Sequence, residues 1–419
     1  MSASSYRPWS LRELAAELAA GATTPSAAMA RTLDGVAATE SQLHAWVMLP
    51  NASGTGEVPD PGPLGGVPLG VKDIIDVAGL PTRCGSSLRA DVAPADADAA
   101  IVSAWREAGA VPAGKTVTTE FAYFSPGPTG NPAAPGHTPG GSSSGSAAAV
   151  ASGQVPLALG SQTAGSVTRP ASFCGVAALV LSHGRFPVDG VTGLSPSLDS
   201  HGVFAARAGD LAMAFAALTG EPDAATGPAR APRLLFWEPP AAEPTMRDAL
   251  HTARDRLTAA GAVVDDLPDP HLVDTLTAAH PVVMAAEAAV ERAAELARAD
   301  ELSAPLAELL RRGAATPPEE LKAARRVVAE GRKRIGGLLD SCDAIIGPAA
   351  PGPAPQGLAA TGDPVLSRPW QALGLPVLTV PGLSAPDARP LGVQLIGPAR
   401  AETALLGAGC WVQSALDPG

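Results

Sequence analysis

The apolar positions of this chain change rhythm along its length. Near the start the period is helical. Leu11, Leu14 and Leu18 share one face of a segment opening with Ser10-Leu11-Arg12-Glu13, which has the spacing of a capping box. A second helix is predicted from Thr24-Pro25, because proline at the first helical position lacks only an N–H that would have no helical acceptor. Residues 51–66 are rich in proline and glycine and break the pattern. From there to about Gly220, short apolar runs alternate with helical segments. Val67-Pro68-Leu69-Gly70-Val71-Lys72-Asp73-Ile74-Ile75 reads as a strand, residues 98–108 as a helix stopped by Gly109, and residues 147–151 as a buried helix of small side chains. Such alternation predicts an α/β core. Residues 233–238 read as a strand, and helical patterns follow near 243–260, 271–298, 302–312 and 318–339. The last carries Glu319, Glu320, Lys322, Arg325 and Arg326 on a solvated face, and Ala344-Ile345-Ile346 reads as a buried strand returning the chain to the core. No internal repeat interrupts this order.

Composition narrows the class. The 419 residues are 46% hydrophobic and 17% charged, the balance of a compact protein and not a disordered one. Aromatics are only 4%, so packing rests on small aliphatic side chains. A net charge of −12 argues against nucleic acid and against an anionic membrane surface, both of which select Lys/Arg patches. No apolar run approaches the ~20 residues of a membrane span. Cys84, Cys174, Cys342 and Cys410 are far apart without a CxxC, and the polar first residues lack an apolar leader core. Reduced thiols and a cytoplasmic location are therefore expected. The Asn51-Ala52-Ser53 sequon is then a chance match. Seven scattered histidines without ligand spacing predict no metal, and no cofactor is expected.

The chemistry concentrates between Gly140 and Pro170. Gly140-Gly141-Ser142-Ser143-Ser144-Gly145-Ser146 and Gly160-Ser161-Gln162-Thr163-Ala164-Gly165-Ser166-Val167-Thr168-Arg169-Pro170 are two Gly/Ser turns on either side of an apolar segment. With Lys72 upstream, they offer a route to amide cleavage without histidine or metal. A serine attacks an amide only if its proton is removed, and the leaving amine must then be protonated. Lysine can do both only with its reference pKa of ~10.4 lowered, and burial lowers it by disfavouring the charged form. Leu69, Val71, Ile74 and Ile75 supply such surroundings, while strand geometry turns Asp73 to the opposite face. Consecutive N–H groups of a Gly-rich turn such as Thr163-Ala164-Gly165-Ser166 can hold the developing oxyanion.

In this order, with Ser142 and Ser166 24 residues apart, these residues resemble the amidase signature family of serine hydrolases. The resemblance runs from the Lys72 segment to Gly392-Val393-Gln394-Leu395-Ile396-Gly397. It implies a large mixed β-sheet core covered on both sides by α-helices, as a single domain over residues 1–419. Within it, 1–50 would be an N-terminal helical arm, 60–220 the catalytic core, 221–340 a variable helical region roofing the substrate pocket, and 341–419 the return to the core. It implies Ser166 as nucleophile, Ser142 on a cis peptide bond as bridge, and Lys72 as ultimate base and acid. Backbone N–H groups of Thr163, Ala164, Gly165 and Ser166 would form the oxyanion hole, and Arg169 and Gly141 would lie on the substrate-binding side. The implied substrate is a small-molecule amide or carbamate. The arm is often a dimer contact in the family, which leaves a homodimer open. Gln162 stands where many members have Asp, and Ala164 where many have Gly; the first change removes a charge near Arg169 and the second adds a methyl group beside the oxyanion turn. The Gln form, together with Thr361-Gly362-Asp363-Pro364 and Arg368-Pro369-Trp370, resembles the malonamidase branch, in which the arginine matching Arg169 holds a substrate carboxylate.

Other motifs compete. Gly109-Ala110-Val111-Pro112-Ala113-Gly114-Lys115-Thr116 matches the P-loop pattern, but it follows a helix and precedes the β-branched Val117-Thr118-Thr119, the reverse of the context a phosphate loop needs. Gly141-Ser142-Ser143-Ser144-Gly145 matches a nucleophile elbow centred on Ser143, with His183, His201, His251, His271 and His280 downstream, but no apolar strand leads into it. His137 reads as a brace for its loop. A glutaminase component of a transamidation complex and a catalytically silent binding protein are the remaining alternatives.

Overall fold

The computed structural model describes residues 6–49, 62–226 and 230–417; the Asn51 sequon and most of the proline/glycine-rich connection lie outside them. The described strands are β1 (Trp46–Met48), β2 (Pro68–Lys72), β3 (Val111–Thr116), β4 (Leu157–Gln162), β5 (Ala177–Val180), β6 (Ser200–Ala205), β7 (Arg233–Phe236), β8 (Val263–Asp266), β9 (Ala344–Pro348), β10 (Val377–Ser384) and β11 (Pro390–Ile396). All join one sheet in the order β1-β3-β2-β4-β6-β5-β10-β11-β9-β7-β8. The sheet is mixed. β3, β2 and β4 run parallel, as do β9, β7 and β8, and the strands between them pair antiparallel. Every residue of β2, β4, β5, β6 and β9 is buried, so helices cover both faces there, and these strands are mostly apolar or small instead of alternating, with Lys72, Gln162 and His201 as the large polar exceptions. The edge strand β8 is short and ends in Asp265-Asp266, which discourages further pairing.

The helix Ser144–Ala151 has all eight residues buried, with no polar face to separate from an apolar one. Its approach is so close that a Cβ on Gly145 would meet the Ala45 carbonyl oxygen at 2.2 Å. At the N-terminus, helices Leu11–Ala19 and Pro25–Leu43 start at the predicted caps, Ser10 and Thr24. The arm is anchored on its own chain. Ser10 Oγ and the Arg12 N–H both donate to Asp210 Oδ1, at 3.0 and 2.9 Å, and Arg12 pairs with Asp223 at 2.5 Å.

Three segments differ from the sequence pattern. The strand expected over 67–75 spans only Pro68–Lys72, and Asp73 and Ile74 turn the chain beyond it. The helix expected over 271–298 spans Pro270–Glu291, continues past Pro281, and gives way to a separate short helix Ala293–Leu296. Burial of Leu276, Ala279, His280, Val283 and Met284 holds the long helix together across the proline, while Arg292, at φ −106° and ψ 36°, ends it where no Gly or Pro signals a stop. The strand expected over 233–238 ends at Phe236.

Candidate active site

Lys72 closes β2 at the centre of the parallel segment, fully buried. The parallel register pairs Val71 with Leu159, which brings the end of β2 beside Ser161 of β4. Lys72 Nζ lies 2.8 Å from Ser142 Oγ, 2.8 Å from Ser161 Oγ and 3.3 Å from the Ser161 carbonyl oxygen. Burial pulls the ammonium down to about 7, against the raising influence of the Asp199 carboxylate. Near neutral pH the amine is therefore available in its uncharged form. Such an amine has two N–H donors and one lone pair. The two Ser161 oxygens can take the donors, which leaves the lone pair for the Ser142 hydroxyl.

Ser142 follows a cis Gly141–Ser142 peptide bond just ahead of the helix Ser144–Ala151. Ser166 sits in the turn between β4 and the helix Thr168–Cys174. The two turns are stitched together by the Ser143 N–H, which donates to the Ser166 carbonyl at 3.3 Å. Ser142 and Ser166 line one small cavity of about 20 Å³, walled by Tyr123, Phe124, Leu194, Met284 and Pro364 among others. The Ser166 hydroxyl has no protein hydrogen-bond partner among the described residues and shares its cavity with Ser142. Phe121, Ala122 and Phe124, at φ 43°, 61° and 40°, hold the wall segment in the left-handed region that side chains disfavour. Glu120 fixes that segment by accepting from Ser86 Oγ and the Ser303 N–H, both at 2.8 Å.

Thr163, Ala164 and Gly165 line the same cavity. Among the described residues, none of the N–H groups of Thr163, Ala164, Gly165 and Ser166 donates to a protein acceptor. Four donors are thus left at the cavity wall. Ala164 is not among the residues of positive φ, so its methyl group strains nothing where glycine would also fit.

Gln162 plays a part that its position in the motif does not announce. Its Oε1 accepts from the N–H groups of Val167 and Thr168, at 2.9 and 3.1 Å, and so closes the Ser166 turn from beneath. Its amide donates to Gln371 Oε1 at 3.1 Å. An acceptor is what the turn requires, and the neutral amide supplies it.

Arg169 is buried. Its Nε donates to the Thr361 carbonyl at 2.6 Å and its Nη2 to the Gly141 carbonyl at 2.6 Å, so Gly141 reaches the site through that carbonyl. Nη1 has no partner and stands beside Gly165, where an added Cβ would lie 3.0 Å from it. No carboxylate among the described residues pairs with this guanidinium. Burial pulls it down to about 9, which keeps it charged at neutral pH.

The competing motifs are accounted for elsewhere. Gly109-to-Thr116 is a turn at φ 98° followed by β3, and Lys115 is buried against Asp73 at 3.1 Å. Ser143 is fully buried, and its hydroxyl donates to the Ser161 carbonyl at 3.3 Å. None of His183, His201, His251, His271 and His280 meets a serine hydroxyl; His183 and His201 contact the carbonyls of Pro196 and Pro187. His137 contacts the Pro135 carbonyl within its own loop. A wider surface groove between Ala224 and Trp411 holds none of the predicted site residues. Among the described residues, no helix is long and apolar enough to cross a membrane.

Ser161, Asp199 and His280 escaped sequence reasoning. Ser161 stands inside the second Gly/Ser segment, but no local rule sets it apart from its neighbours; the other two come from remote segments without motif.

A family model described as Amidase matches residues 49–406. The 2-amino-5-chloromuconic acid deaminase of Comamonas testosteroni is 32% identical over 407 residues, covering 86% of this chain and 84% of that protein. A glutamyl-tRNA(Gln) amidotransferase subunit of Chromohalobacter salexigens is 31% identical over 479 aligned positions, covering 97% and 96%. A crystal structure of an amidase superposes with a TM-score of 0.88 at 28% identity, covering 97% of this chain and all of that one.

Proposed function

This chain belongs to the amidase family, and from that premise we propose that its hydrolysis of a carbon–nitrogen amide bond runs through an acyl-enzyme on Ser166. The observation that carries this reading is the buried Lys72 amine at 2.8 Å from Ser142 Oγ, in the cavity wall that also presents Ser166. Neutral Lys72 takes the Ser142 proton as Ser142 takes that of Ser166. Ser166 Oγ bonds to the substrate carbonyl carbon, and the oxygen gains negative charge against the N–H groups of Thr163, Ala164, Gly165 and Ser166. The C–N bond breaks as the relay returns its proton to the leaving nitrogen. Water then attacks the ester by the same path, releasing the acid and restoring Ser166.

The unpartnered Arg169 Nη1 supports a substrate that carries a carboxylate near its scissile amide, the malonamidase-like case. A charged donor without a buried partner is costly, and a substrate carboxylate would satisfy it with a strong, charge-assisted bond. A carbamate or another amide-like bond is the alternative for the same machinery. The similarity to glutamyl-tRNA(Gln) amidotransferase subunits favours one further candidate, glutamine, which has both an amide and a carboxylate. The four free thiols support a cytoplasmic setting.

The test is intact-mass analysis of wild type and Ser166→Ala after exposure to a fluorophosphonate, with peptide mapping. A single adduct on Ser166, absent from the variant, is expected. An adduct on Ser143, or none, overturns the reading. Malonamate-like acids, neutral amides, carbamates and glutamine are then compared by ammonia or amine release.

A further inference from the structure

Thr163 is the one residue of the oxyanion turn gripped from two remote elements. Its Oγ1 donates to Asp199 Oδ1 at 2.5 Å. The other oxygen of Asp199 accepts from the N–H groups of Leu194 and Ser195, at 2.7 and 3.0 Å, which fixes the carboxylate. From the opposite chemical side, His280 Nε2 lies 2.8 Å from the Thr163 carbonyl oxygen. A carbonyl can only accept, so Nε2 carries the proton, and Nδ1 is left buried without a partner. Burial pulls this imidazole down to about 4, in keeping with a neutral ring.

The two grips are linked. His280 lies on the helix Pro270–Glu291, and Glu287 of the same helix accepts from Ser195 Oγ at 2.7 Å and from the Ser197 N–H at 3.0 Å. A ring of hydrogen bonds therefore runs from Thr163 through Asp199, the 195–199 turn, Glu287 and the helix backbone to His280, and back to Thr163.

The consequence follows from peptide geometry. The Thr163 carbonyl and the Ala164 N–H belong to one planar unit and point in opposite directions. Fixing the carbonyl toward His280 fixes the Ala164 N–H away from it. A hydrogen bond accepted at the carbonyl also polarises the amide and strengthens its N–H as a donor. We propose that His280 and Asp199 are positioning residues that clamp Thr163 and so aim the Ala164 N–H at the developing oxyanion, setting the rate of attack and not the affinity for substrate. The proposal rests on the acyl-enzyme reading above.

The test uses the full chain and the rate of inactivation by a fluorophosphonate, whose phosphoryl oxygen takes the oxyanion's place as Ser166 displaces fluoride. Thr163→Val keeps the side-chain shape and removes the Asp199 bond. His280→Ala removes the donor, while His280→Gln places an amide N–H near the former Nε2. The limiting inactivation rate is expected to fall about 10-fold or more in Thr163→Val and in His280→Ala, with the half-saturating probe concentration within about 2-fold, since donors aimed at the transition state act on rate. His280→Gln is expected to regain most of the loss, which a packing role would not produce. Unchanged limiting rates in folded Thr163→Val overturn the proposal, as do effects confined to half-saturation. If His280→Ala fails to fold, Thr163→Val and His280→Gln decide: a slowed Thr163→Val beside a near-normal His280→Gln supports the clamp, and any other pair overturns it. Wild type that is not labelled at Ser166 would instead overturn the acyl-enzyme reading.

Discussion

Lys72 Nζ and Ser142 Oγ lie 2.8 Å apart in a site where the lysine meets no solvent. Within hydrogen-bond reach Lys72 meets only neutral oxygens, so the low pKa is a product of burial and not of a like charge. This makes the base poised near neutrality by the same packing that holds the sheet together.

That relationship gives the activity a defined pH dependence. The working form of Lys72 is the neutral one, so kcat/KM rises with pH and levels above about 7. Two pH units below that point the rate should be about 100-fold under its plateau, one proton being involved. A pH–rate profile from pH 5 to 9 checks this, and a flat profile excludes Lys72 as base. Lys72→Arg should be inactive at every pH, because guanidinium does not deprotonate there.

Burial of Lys72 should also be readable in stability. Its folded-state pKa of about 7 lies below the ordinary 10.5. Between those values the unfolded chain binds a proton that the folded chain does not, so stability rises with pH across that window. Below about 7 both states bind it, and the whole cost of burying the charge is present. Compared with Lys72→Met, wild type should gain ~2–3 kcal/mol of unfolding free energy between pH 7 and 9, and little between pH 5 and 6. Urea unfolding of both proteins across this range measures the difference.

The two serines should separate by role. Ser166→Ala should lose about 10⁴-fold or more in kcat with its fold retained. Ser142→Ala should be severely impaired, with a residual rate carried by a water bridging Lys72 and Ser166. Circular dichroism together with turnover of the best amide found distinguishes loss of chemistry from loss of structure.

Gln162 should matter for stability more than its neutral side chain suggests. Gln162→Ala leaves the Val167 and Thr168 N–H groups and the Gln371 amide oxygen without their partner. Buried polar groups deprived of partners cost ~1–3 kcal/mol each, so a loss on the order of 3 kcal/mol is expected in urea unfolding. A loss below about 0.5 kcal/mol would mean that the turn holds its shape without this brace.

Arg169→Gln should discriminate among substrates. For an amide bearing a carboxylate, kcat/KM should fall about 100-fold, the worth of a charge-assisted bond, and neutral amides should lose much less. Equal losses for both would place Arg169 in the framework of the site only, through Thr361 and Gly141.

Much of this protein is determined by local sequence. The caps at Ser10 and Thr24, the apolar run ending at Lys72, the small-residue helix after Ser142 and the turn around Ser166 each express backbone preference and burial pattern over a few residues. The mismatch of the Gly109–Thr116 motif with its context is equally local, since a helix precedes it where a phosphate loop needs a strand, and its own residues 111–116 form a strand. Tertiary structure decided what depends on distant partners. Gln162 found Gln371 and Thr163 found Asp199 and His280, 209, 36 and 117 residues away along the chain. The low pKa of Lys72 belongs to the same class, because it arises from the exclusion of water by strands and helices that meet only in the folded core. Hydrogen bonding and desolvation act through space, and no pattern read along the chain contains the distances that set them.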